Sequence, residues 1–579
     1  MTDIDKIDTQ SPEFQNALQV IEFTRRSLYL TGKAGTGKST FLRYVAATTK
    51  KKFVILAPTG IAAINAGGVT LHSFFKIPFC PLLPGDSRFN PRNIKKTQKY
   101  NSAKQKLLRE VELIIIDEIS MVRANIIDFI DNVLRVYNNN MREPFGGKQL
   151  LLVGDIYQLE PVVKEEDRKL LSPYYAGNFF FNARVFQQMQ LISIELRKVY
   201  RQNDPSFIRV LDHIRANELQ HGDLERLNRQ VGAKLDEDHS SLSITLSTLR
   251  DTVDYINQQR LDQLEGEATL FRGCIEGEFP ENSLPTPIEL LIKPGAQVIF
   301  VKNDMERRWV NGTLGTVTAF DKETENGLIY VSLEDGDEVA VEPASWSNVH
   351  YHFNEKEEKI EEEEVGRYIQ FPLRLAWAIT VHKSQGLTFK QVKIDFTGGV
   401  FAGGQAYVAL SRCTSLEGIS LKEPIRKEEI FVKNEVKRFA SHYNDNNAIN
   451  SALSDSKADK QYADAAKAFD EGDMQGALDN FFLAIHSRYD IEKPSVKRLL
   501  RRKLNVVNLL KEENKRLVAE KEAKLKFLMK LSIEYFTMGK ECETEHMTQA
   551  AIRNYEKALK LYPDHLGAKR RLEKIKRHQ

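Results

Sequence analysis

Gly32-Lys-Ala-Gly-Thr-Gly-Lys-Ser39 is the stretch that decides the fold of this 579-residue chain. An apolar run, residues 27–31, precedes it, and a helical pattern follows it. Glycines between a strand and a helix let backbone N–H groups face a phosphate, and the helix N-terminus adds positive potential. The motif predicts that Lys38 reaches the β- and γ-phosphates of a nucleoside triphosphate and that the Ser39 hydroxyl binds Mg²⁺.

Further apolar runs follow at residues 53–57, 113–117 and 149–153, separated by helical lengths. Such a pattern predicts a parallel sheet covered by helices on both faces. Asp117 and Glu118 come at the end of the second of these runs. We expect Asp117 to hold Mg²⁺ and Glu118 to act as general base, although two solvated acids after a strand are the plainer alternative. The sequence therefore predicts nucleoside triphosphate hydrolysis.

The rest of the sequence predicts two α/β domains, a small inserted barrel and an all-α domain. Pro- and Gly-rich β segments are typical of a small antiparallel barrel inserted in a second α/β domain, and a polar run at 444–456 suggests a linker. The predicted parts are residues 1–190, the first α/β domain; 191–262 with 366–443, the second; 263–365, the barrel; and 457–579, an all-α domain.

The all-α part has two stretches with the helix-turn-helix spacing of tetratricopeptide repeats. The clearer stretch holds Tyr535, Gly539, Ala551, Tyr555, Ala558 and Pro563, and the earlier one Gly472, Asp473, Ala477, Phe481 and Ala484. The segment between them is expected to be a lengthened repeat or a separate helical hairpin. A cap packed on the α/β domains and a docking surface for a protein partner both remain open as its role.

The net charge excludes few classes of protein, while the spacing of the cysteines favours a reducing compartment. The net charge is +3, from 83 Lys+Arg against 80 Asp+Glu, and the four cysteines are far apart. No run approaches the roughly 18 apolar residues of a membrane span, and the acidic N-terminus is unlike a presequence. We therefore expect a soluble cytoplasmic protein with no membrane partner.

More motifs follow the first in a fixed order, and together they resemble the superfamily-one helicases. They read Ala57-Pro-Thr-Gly-Ile-Ala-Ala63, Asp117-Glu-Ile-Ser-Met121, Gly154-Asp-Ile-Tyr-Gln-Leu-Glu-Pro161, Tyr200-Arg-Gln202, Val381-His-Lys-Ser-Gln-Gly-Leu-Thr388 and Gly404-Gln-Ala-Tyr-Val-Ala-Leu-Ser-Arg412. Pro144-Phe-Gly-Gly-Lys-Gln-Leu150 narrows the resemblance to the PIF (petite integration frequency) helicases, over roughly residues 10–440.

This resemblance implies two RecA-like domains with ATP between them and single-stranded DNA across their tops. It also implies DNA-stimulated ATP hydrolysis, 5′→3′ movement, unwinding of duplex or forked DNA, and roles in DNA repair and telomere maintenance. Gln158 matches the γ-phosphate sensor, Arg201 and Arg412 the arginines that stabilise transition-state charge, and Gln15 the adenine-reading glutamine. The remaining nucleotide contacts implied are Gly32, Gly35, Thr36, Gly37, Thr40 and Gly386.

The resemblance also implies contacts to the DNA strand, of a kind that position a strand without reading its bases. The residues are Thr59, Gly60, His72 and Ser73 in the first domain, and His382, Lys383, Ser384 and Gln385 in the second. Phe74 and Phe75 could stack on bases or could simply pack in the core.

Several features depart from the family pattern or lie outside it. Glu160 replaces a usual second proline, the acidic run 355–364 suggests a solvated hairpin, and residues 491–530 carry 13 Lys+Arg against 5 Glu. That basic segment could add nonspecific DNA affinity or be a solvated helix face. A protein-docking ATPase switch and an RNA-directed or annealing motor are the alternative functions.

Overall fold

The computed structural model describes residues 9–78, 80–200, 204–235, 242–321, 327–334, 336–354, 357, 359–487 and 494–577. The chain forms two compact units, Met1–Asp464 and Ala465–Gln579. Within the described ranges, none of the helices is both long and apolar enough to span a bilayer.

The first domain is a parallel sheet flanked by helices. Its helices are α1 (Pro12–Phe23), α2 (Lys38–Thr48), α3 (Gly60–Ala66), α4 (Leu71–Phe75), α5 (Ile94–Thr97), α6 (Ser102–Glu110), α7 (Ala124–Tyr137) and α8 (Glu165–Leu171). Its strands are β1 (Leu28–Gly32), β2 (Phe53–Ala57), β3 (Val69–Thr70), β4 (Leu113–Ile116), β5 (Gln149–Val153) and β6 (Ile192–Leu196). The strand order β3-β2-β4-β5-β1-β6 places the loops after β1, β4 and β5 at one edge of the sheet.

The apolar runs form strands because both faces of this sheet are buried. Tyr29 and Ile114 point to one core, whereas their neighbours Leu28 and Leu113 point to the core on the opposite face. Side chains alternate between faces along a strand, so a continuous apolar run fills both cores. The parallel sheet predicted from these runs is confirmed, and β6 extends it beyond the predicted boundary at residue 190.

The second domain is a smaller parallel sheet, interrupted by the β-rich insertion. Before the insertion come α9 (Pro205–Ala216), α10 (Asp223–Asn228), β7 (Ser243–Ser247) and α11 (Arg250–Gln263). The insertion contains β8 (Thr269–Arg272), β9 (Cys274–Gly277), β10 (Glu289–Ile292), β11 (Gln297–Phe300), β12 (Leu314–Asp321), β13 (Leu328–Leu333), β14 (Glu338–Val341), β15 (Ala344–Asn354), β16 (Lys359–Gln370) and β17 (Leu373–Leu375). After it come β18 (Ala378–Thr380), β19 (Gln391–Asp395), α12 (Gln405–Leu410), β20 (Ile419–Leu421) and α13 (Asn434–Ala440). The sheet order is β18-β7-β19-β20.

The inserted strands pair antiparallel, as predicted. Their largest sheet has the order β14-β13-β12-β11-β17, and in the described residues its two end strands do not pair with each other. Strands β15 and β16 form the hairpin that contains the acidic run. Glu362, Glu363 and Glu364 of this run are exposed, as expected for a solvated hairpin. Tyr351 on β15, outside the run, is instead buried in the core of the first domain, where its hydroxyl accepts a hydrogen bond from Ile55 N–H at 3.4 Å.

The second domain ends with α13, and the helices that follow it are α14 (Asn446–Asp470), α15 (Met474–Ser487), α16 (Pro494–Thr544), α17 (Thr548–Leu561) and α18 (Leu566–Arg577). The expected linker at 444–456 is instead helical from Asn446, since Ile449 and Ala452 pack into the core of the first domain.

In the second unit, the expected lengthened repeat or separate hairpin is a single helix, α16, of 51 residues. It packs against α17, where Ala551, Tyr555 and Ala558 are fully buried. Gly539 is required there, because a Cβ atom at this position would lie 2.5 Å from the Tyr555 ring. The predicted helix-turn-helix spacing is thus present, while assignment to the tetratricopeptide class stays a prediction.

Candidate functional site

The loop between β1 and α2 carries the glycine-rich motif. Gly35 and Gly37 have φ values of 79° and 87°, which favour glycine, and α2 begins directly afterwards at Lys38. Lys38 Nζ donates to the carbonyl oxygens of Gly32 at 2.7 Å and Lys33 at 3.0 Å. The loop therefore curls around the lysine ammonium at the helix N-terminus.

A cavity of about 860 Å³ lies against this loop and is lined by both α/β domains. The predicted residues that line it are Gly35, Thr36, Gly37, Lys38, Ser39, Thr40, Glu118, Gln158, Gly386 and Arg412. The structure adds Ser11, Phe14, Ala34, Arg43, Leu196, Arg197, Lys198, Tyr200 and Thr388. Arg43 could have been found from the sequence, because it lies one helical turn after Ser39 on the same face of α2.

Four predicted nucleotide-site residues are not among the residues that line the cavity. Two of them are Gly32, the last residue of β1, and Asp117, which precedes Glu118 and accepts a hydrogen bond from its N–H. The exposed Gln15 donates from Nε2 to Thr9 O at 2.7 Å, although its neighbours Ser11 and Phe14 do line the cavity. Arg201 lies outside the described residues.

The two carboxylic acids after β4, Asp117 and Glu118, differ in backbone conformation and in the causes of their pKa shifts. Glu118 has the left-handed values φ 49° and ψ 43°, and its N–H donates to Asp117 Oδ1 at 2.9 Å. A non-glycine residue in this region stores roughly 1–3 kcal/mol of strain, which is common at functional sites. Burial and the nearby Asp117 charge raise the pKa of Glu118 to about 7, and burial raises the pKa of Asp117.

The second domain reaches these acids through Gln385. Its Nε2 donates to Glu118 Oε2 at 2.9 Å and to Gln158 Oε1 at 3.2 Å. The resemblance assigned Gln385 to the DNA strand; here its side chain points instead into the cleft, because the turn after β18 directs it toward the first domain. Ser384 is fully buried and donates to Val381 O at 2.8 Å, so its hydroxyl is not at a DNA-facing surface.

Arg412 is the largest of the fully buried side chains in the described residues. Its guanidinium is held by backbone carbonyls: Nε donates to Val408 O at 2.9 Å, and Nη1 to Leu387 O at 3.3 Å. Nη2 donates to Ser411 Oγ at 3.0 Å. A charge fixed in this way at the cavity wall needs little reorganisation to face a phosphate.

The other predicted strand contacts follow β2 and β18. Thr59 is exposed and caps α3, accepting from Ala62 N–H at 3.2 Å, and Ser73 is exposed at α4. Gly60 is tightly packed, because a Cβ atom there would lie 2.7 Å from Ser283 of the insertion. Burial lowers the pKa of the half-buried His72, with a further contribution from Arg123.

On the second domain, His382 is half-buried, and burial lowers its pKa. Lys383, beside it, is exposed.

Phe74 and Phe75 are core residues, with 3% and 0% exposure. The Phe74 ring faces Tyr351 of the β15–β16 hairpin at 6.2 Å, and Lys104 Nζ lies over the same ring. The core-packing alternative is therefore the correct one, and neither ring is available to stack on bases in this structure.

Sequence reasoning missed the polar contacts that join the two domains. Lys33 pairs with Asp212 of α9 at 2.6 Å, and Ala34 N–H donates to Tyr407 Oη at 3.1 Å. Glu160, the departure from the family pattern, pairs with Lys433. No sequence signal identifies such partners, because they are between 179 and 373 positions apart.

The fold and the cleft define a two-domain P-loop protein, and comparisons with known proteins agree. The PIF1-like helicase family model matches residues 8–221. The ATP-dependent DNA helicase PIF1 of Emericella nidulans is 32% identical over 462 residues, which cover 70% of this chain and 60% of that protein. The chain thus spans less than two thirds of this curated relative's length.

Solved structures of a Bacteroides Pif1 show the same similarity. Its complex with ADP-AlF4 has a TM-score of 0.68 and 41% identity, covering 74% of this chain and 96% of that one. Its complex with single-stranded DNA matches with a TM-score of 0.54 over the same coverage. The chain belongs to the PIF1-like helicase family.

Proposed function

We propose that this protein is an ATP- and Mg²⁺-dependent DNA helicase that moves 5′→3′ on single-stranded DNA and unwinds duplex or forked DNA. The observation that carries the proposal is the composition of the cavity wall. Glu118 and the glycine-rich loop come from the first domain, and Gly386 and Arg412 come from the second. A nucleotide bound between them links hydrolysis to the relative position of the domains.

The residues at the cavity suit the chemistry of phosphoryl transfer. Lys38 and Arg412 stabilise negative charge on the phosphates, and Gln158 senses the γ-phosphate. Glu118 takes the proton of that water, a role that suits a carboxyl group whose pKa lies near 7. Arg201 is proposed as a second cation for the transition state, and Gln15 as a contact to the base.

Mg²⁺ fits the available donors. Ser39 and Asp117 offer a hydroxyl and a carboxylate oxygen, the ligand type that this ion prefers. The described ranges contain no group of three His, Cys, Asp or Glu residues that could hold a metal. That agrees with Mg²⁺, which commonly binds through one or two protein ligands together with waters and substrate phosphates. When bound, the ion neutralises phosphate charge.

The relatives support DNA as the second substrate, since the Bacteroides protein has been solved with single-stranded DNA. We propose that Thr59, Gly60, His72 and Ser73 on the first domain contact the strand, and that His382 and Lys383 do so on the second. Gln385 is proposed to join the strand-binding turn to the nucleotide. A cytoplasmic location and a protein partner for the C-terminal helices stay predictions.

One assay tests this proposal. ATP turnover is measured with and without single-stranded DNA, and unwinding is measured on 5′-tailed, 3′-tailed and RNA-containing duplexes. We expect turnover to rise with DNA and only the 5′-tailed DNA duplex to open. Turnover that ignores DNA would instead favour a protein-docking ATPase switch, and a preference for RNA-containing duplexes would favour an RNA-directed motor.

A further inference from the structure

Asp155, in the turn after β5, is a fully buried carboxylate with a single cationic partner described for it. Arg215 Nη2 donates to Oδ1 at 3.0 Å and Nε donates to Oδ2 at 3.2 Å. The Asp155 side chain has 0% exposure and that of Arg215 has 9%. This two-point geometry is the strongest form of a charged hydrogen bond and fixes both side chains.

The pair joins the two domains, because Arg215 belongs to α9. Its Nη1 donates to Glu195 on β6 at 2.9 Å, and its guanidinium lies 4.4 Å from the centre of the Tyr157 ring. Asp212, three residues earlier on α9, pairs with Lys33 in the glycine-rich loop at 2.6 Å. One helix of the second domain therefore contacts two loops of the nucleotide cleft.

Asp155 also holds Gln158 in place. Gln158 N–H donates to Asp155 O at 3.0 Å, and Gln158 Nε2 approaches Asp155 Oδ2 at 3.5 Å. The free side of the Gln158 amide, Oε1, then accepts from Gln385 Nε2. A continuous series of polar contacts leads from Arg215 through Asp155 and Gln158 to Gln385 and Glu118.

We infer that Arg215 is a positioning residue for ATP hydrolysis: it fixes the Asp155 turn so that Gln158 and Gln385 meet at the cavity. This inference rests on the proposed helicase function, which assigns Gln158 to the γ-phosphate. Arg215 lies outside the residues that line the cavity, so it acts through Asp155 rather than on the nucleotide.

Arg215→Lys is the appropriate variant. Removing the charge altogether would leave Asp155 buried and unpaired, which is strongly destabilising and would confuse folding with catalysis. Lysine keeps the charge but has no planar fork, so it cannot bind both carboxylate oxygens and Glu195 together.

The matched control is Arg135→Lys. Arg135 also has 9% side-chain exposure, and its Nε donates to both carboxylate oxygens of Asp131, at 2.9 and 2.7 Å, while Nη1 and Nη2 donate to Met141 O and Gln188 Oε1. The Arg135–Asp131 pair lies within α7, and neither residue lines the cavity. Each variant therefore disturbs a buried arginine–aspartate contact, and only the Arg215 contact reaches the cleft.

The experiment uses the full chain and two readouts. With saturating single-stranded DNA, we expect Arg215→Lys to lower the kcat of ATP hydrolysis about tenfold, and Arg135→Lys to lower it less than about twofold. The KM for ATP should change less than about threefold in both variants. Hydrogen exchange without nucleotide should show faster exchange at residues 156–158 in Arg215→Lys alone.

The readouts separate this inference from the proposed function. If the unsubstituted protein shows no DNA-stimulated turnover, the helicase proposal fails, while hydrogen exchange still tests the positioning. Unchanged exchange at 156–158 in Arg215→Lys overturns the inference whatever the turnover. An equal loss of kcat in the two variants also overturns it, because it reduces Arg215 to a structural contact.

Discussion

The two compact units of this protein are built in opposite ways. In Met1–Asp464, charged side chains such as Arg412 and Asp155 are buried and form hydrogen bonds with specific partners. In Ala465–Gln579, every residue from 508 to 527 of α16 is exposed. A buried charge is costly unless it is paired and hydrogen-bonded, so removing one of its partners is strongly destabilising, whereas substitutions on an exposed helix usually change stability little. The comparison teaches that chemistry should be sensitive to substitutions in the first unit and tolerant of changes in the second.

The largest effect is expected from Glu118→Gln. The amide keeps the shape and the contact with Gln385 but cannot accept the proton of the attacking water. ATP turnover should fall by about 10²–10⁴, measured as phosphate release with DNA present. Binding of a fluorescent ATP analogue, measured in parallel, should stay within about threefold of the unsubstituted protein. Retained turnover would remove the general-base assignment.

Lys38→Ala should come next, with a loss of about 10²–10³ in turnover, because one cationic donor to the phosphates is removed. Unwinding of a 5′-tailed duplex should stop. Lys33→Ala is the control: this residue is in the same loop, but its side chain pairs with Asp212. If the two substitutions were equally damaging, the effect would belong to the loop as a whole rather than to the Lys38 ammonium.

Two truncations test where the boundary between the units lies. A chain ending at residue 445 loses Ile449 and Ala452 from the first-domain core, and losing such a buried side chain costs about 2–5 kcal/mol. A chain ending at residue 464 keeps both, together with the Arg26–Asp455 ion pair. Thermal unfolding should therefore show a lower Tm for the shorter chain only.

DNA-stimulated turnover of the chain that ends at 464 should stay within about twofold of the full chain. A loss of activity at 464 without a loss of stability would contradict the comparison, because it would give the second unit a part in the chemistry.

The smallest effect is expected on α16 itself. Lys521→Gln with Lys524→Gln removes two exposed cations, and a solvated helix face should leave DNA affinity unchanged. Each lost phosphate contact would reduce the slope of log affinity against log salt by about 0.7 on single strands. Fluorescence titration over a range of salt concentrations measures this slope. A reduction of that size would show that α16 contacts the strand.

The sequence was a good guide wherever the structure follows from local geometry. The strand, the glycine-rich loop and the helix beginning at Lys38 are consecutive in the chain, so their arrangement follows from their order. The left-handed backbone of Glu118 was not predictable, since no sequence rule favours that conformation for glutamate. The orientation of the Gln385 side chain was not predictable either, because its partners Gln158 and Glu118 are 227 and 267 positions away.

Exposure was hard to predict where long-range packing decides it. The resemblance assigned Ser384 to the DNA strand, and for Phe74 both base stacking and core packing were open; both side chains are buried. Tyr351, 277 positions further along the chain, packs against Phe74. The acidic residues of its hairpin dominated the sequence pattern, whereas Tyr351, Val349 and Ile360, which pack against the first-domain core, gave no periodic signal.

The strand order of the second sheet has a consequence for the order of folding. Strand β7 lies between β18 and β19, which follow it by more than 130 residues in the chain. The strands of the first sheet all lie before residue 197, so they are all available early in synthesis. At about 5–20 residues per second, β7 waits on the order of ten seconds with both edges unpaired. During that interval the ribosome-bound chain presents a β strand open to wrong partners, and this is the step at which a chaperone would matter most.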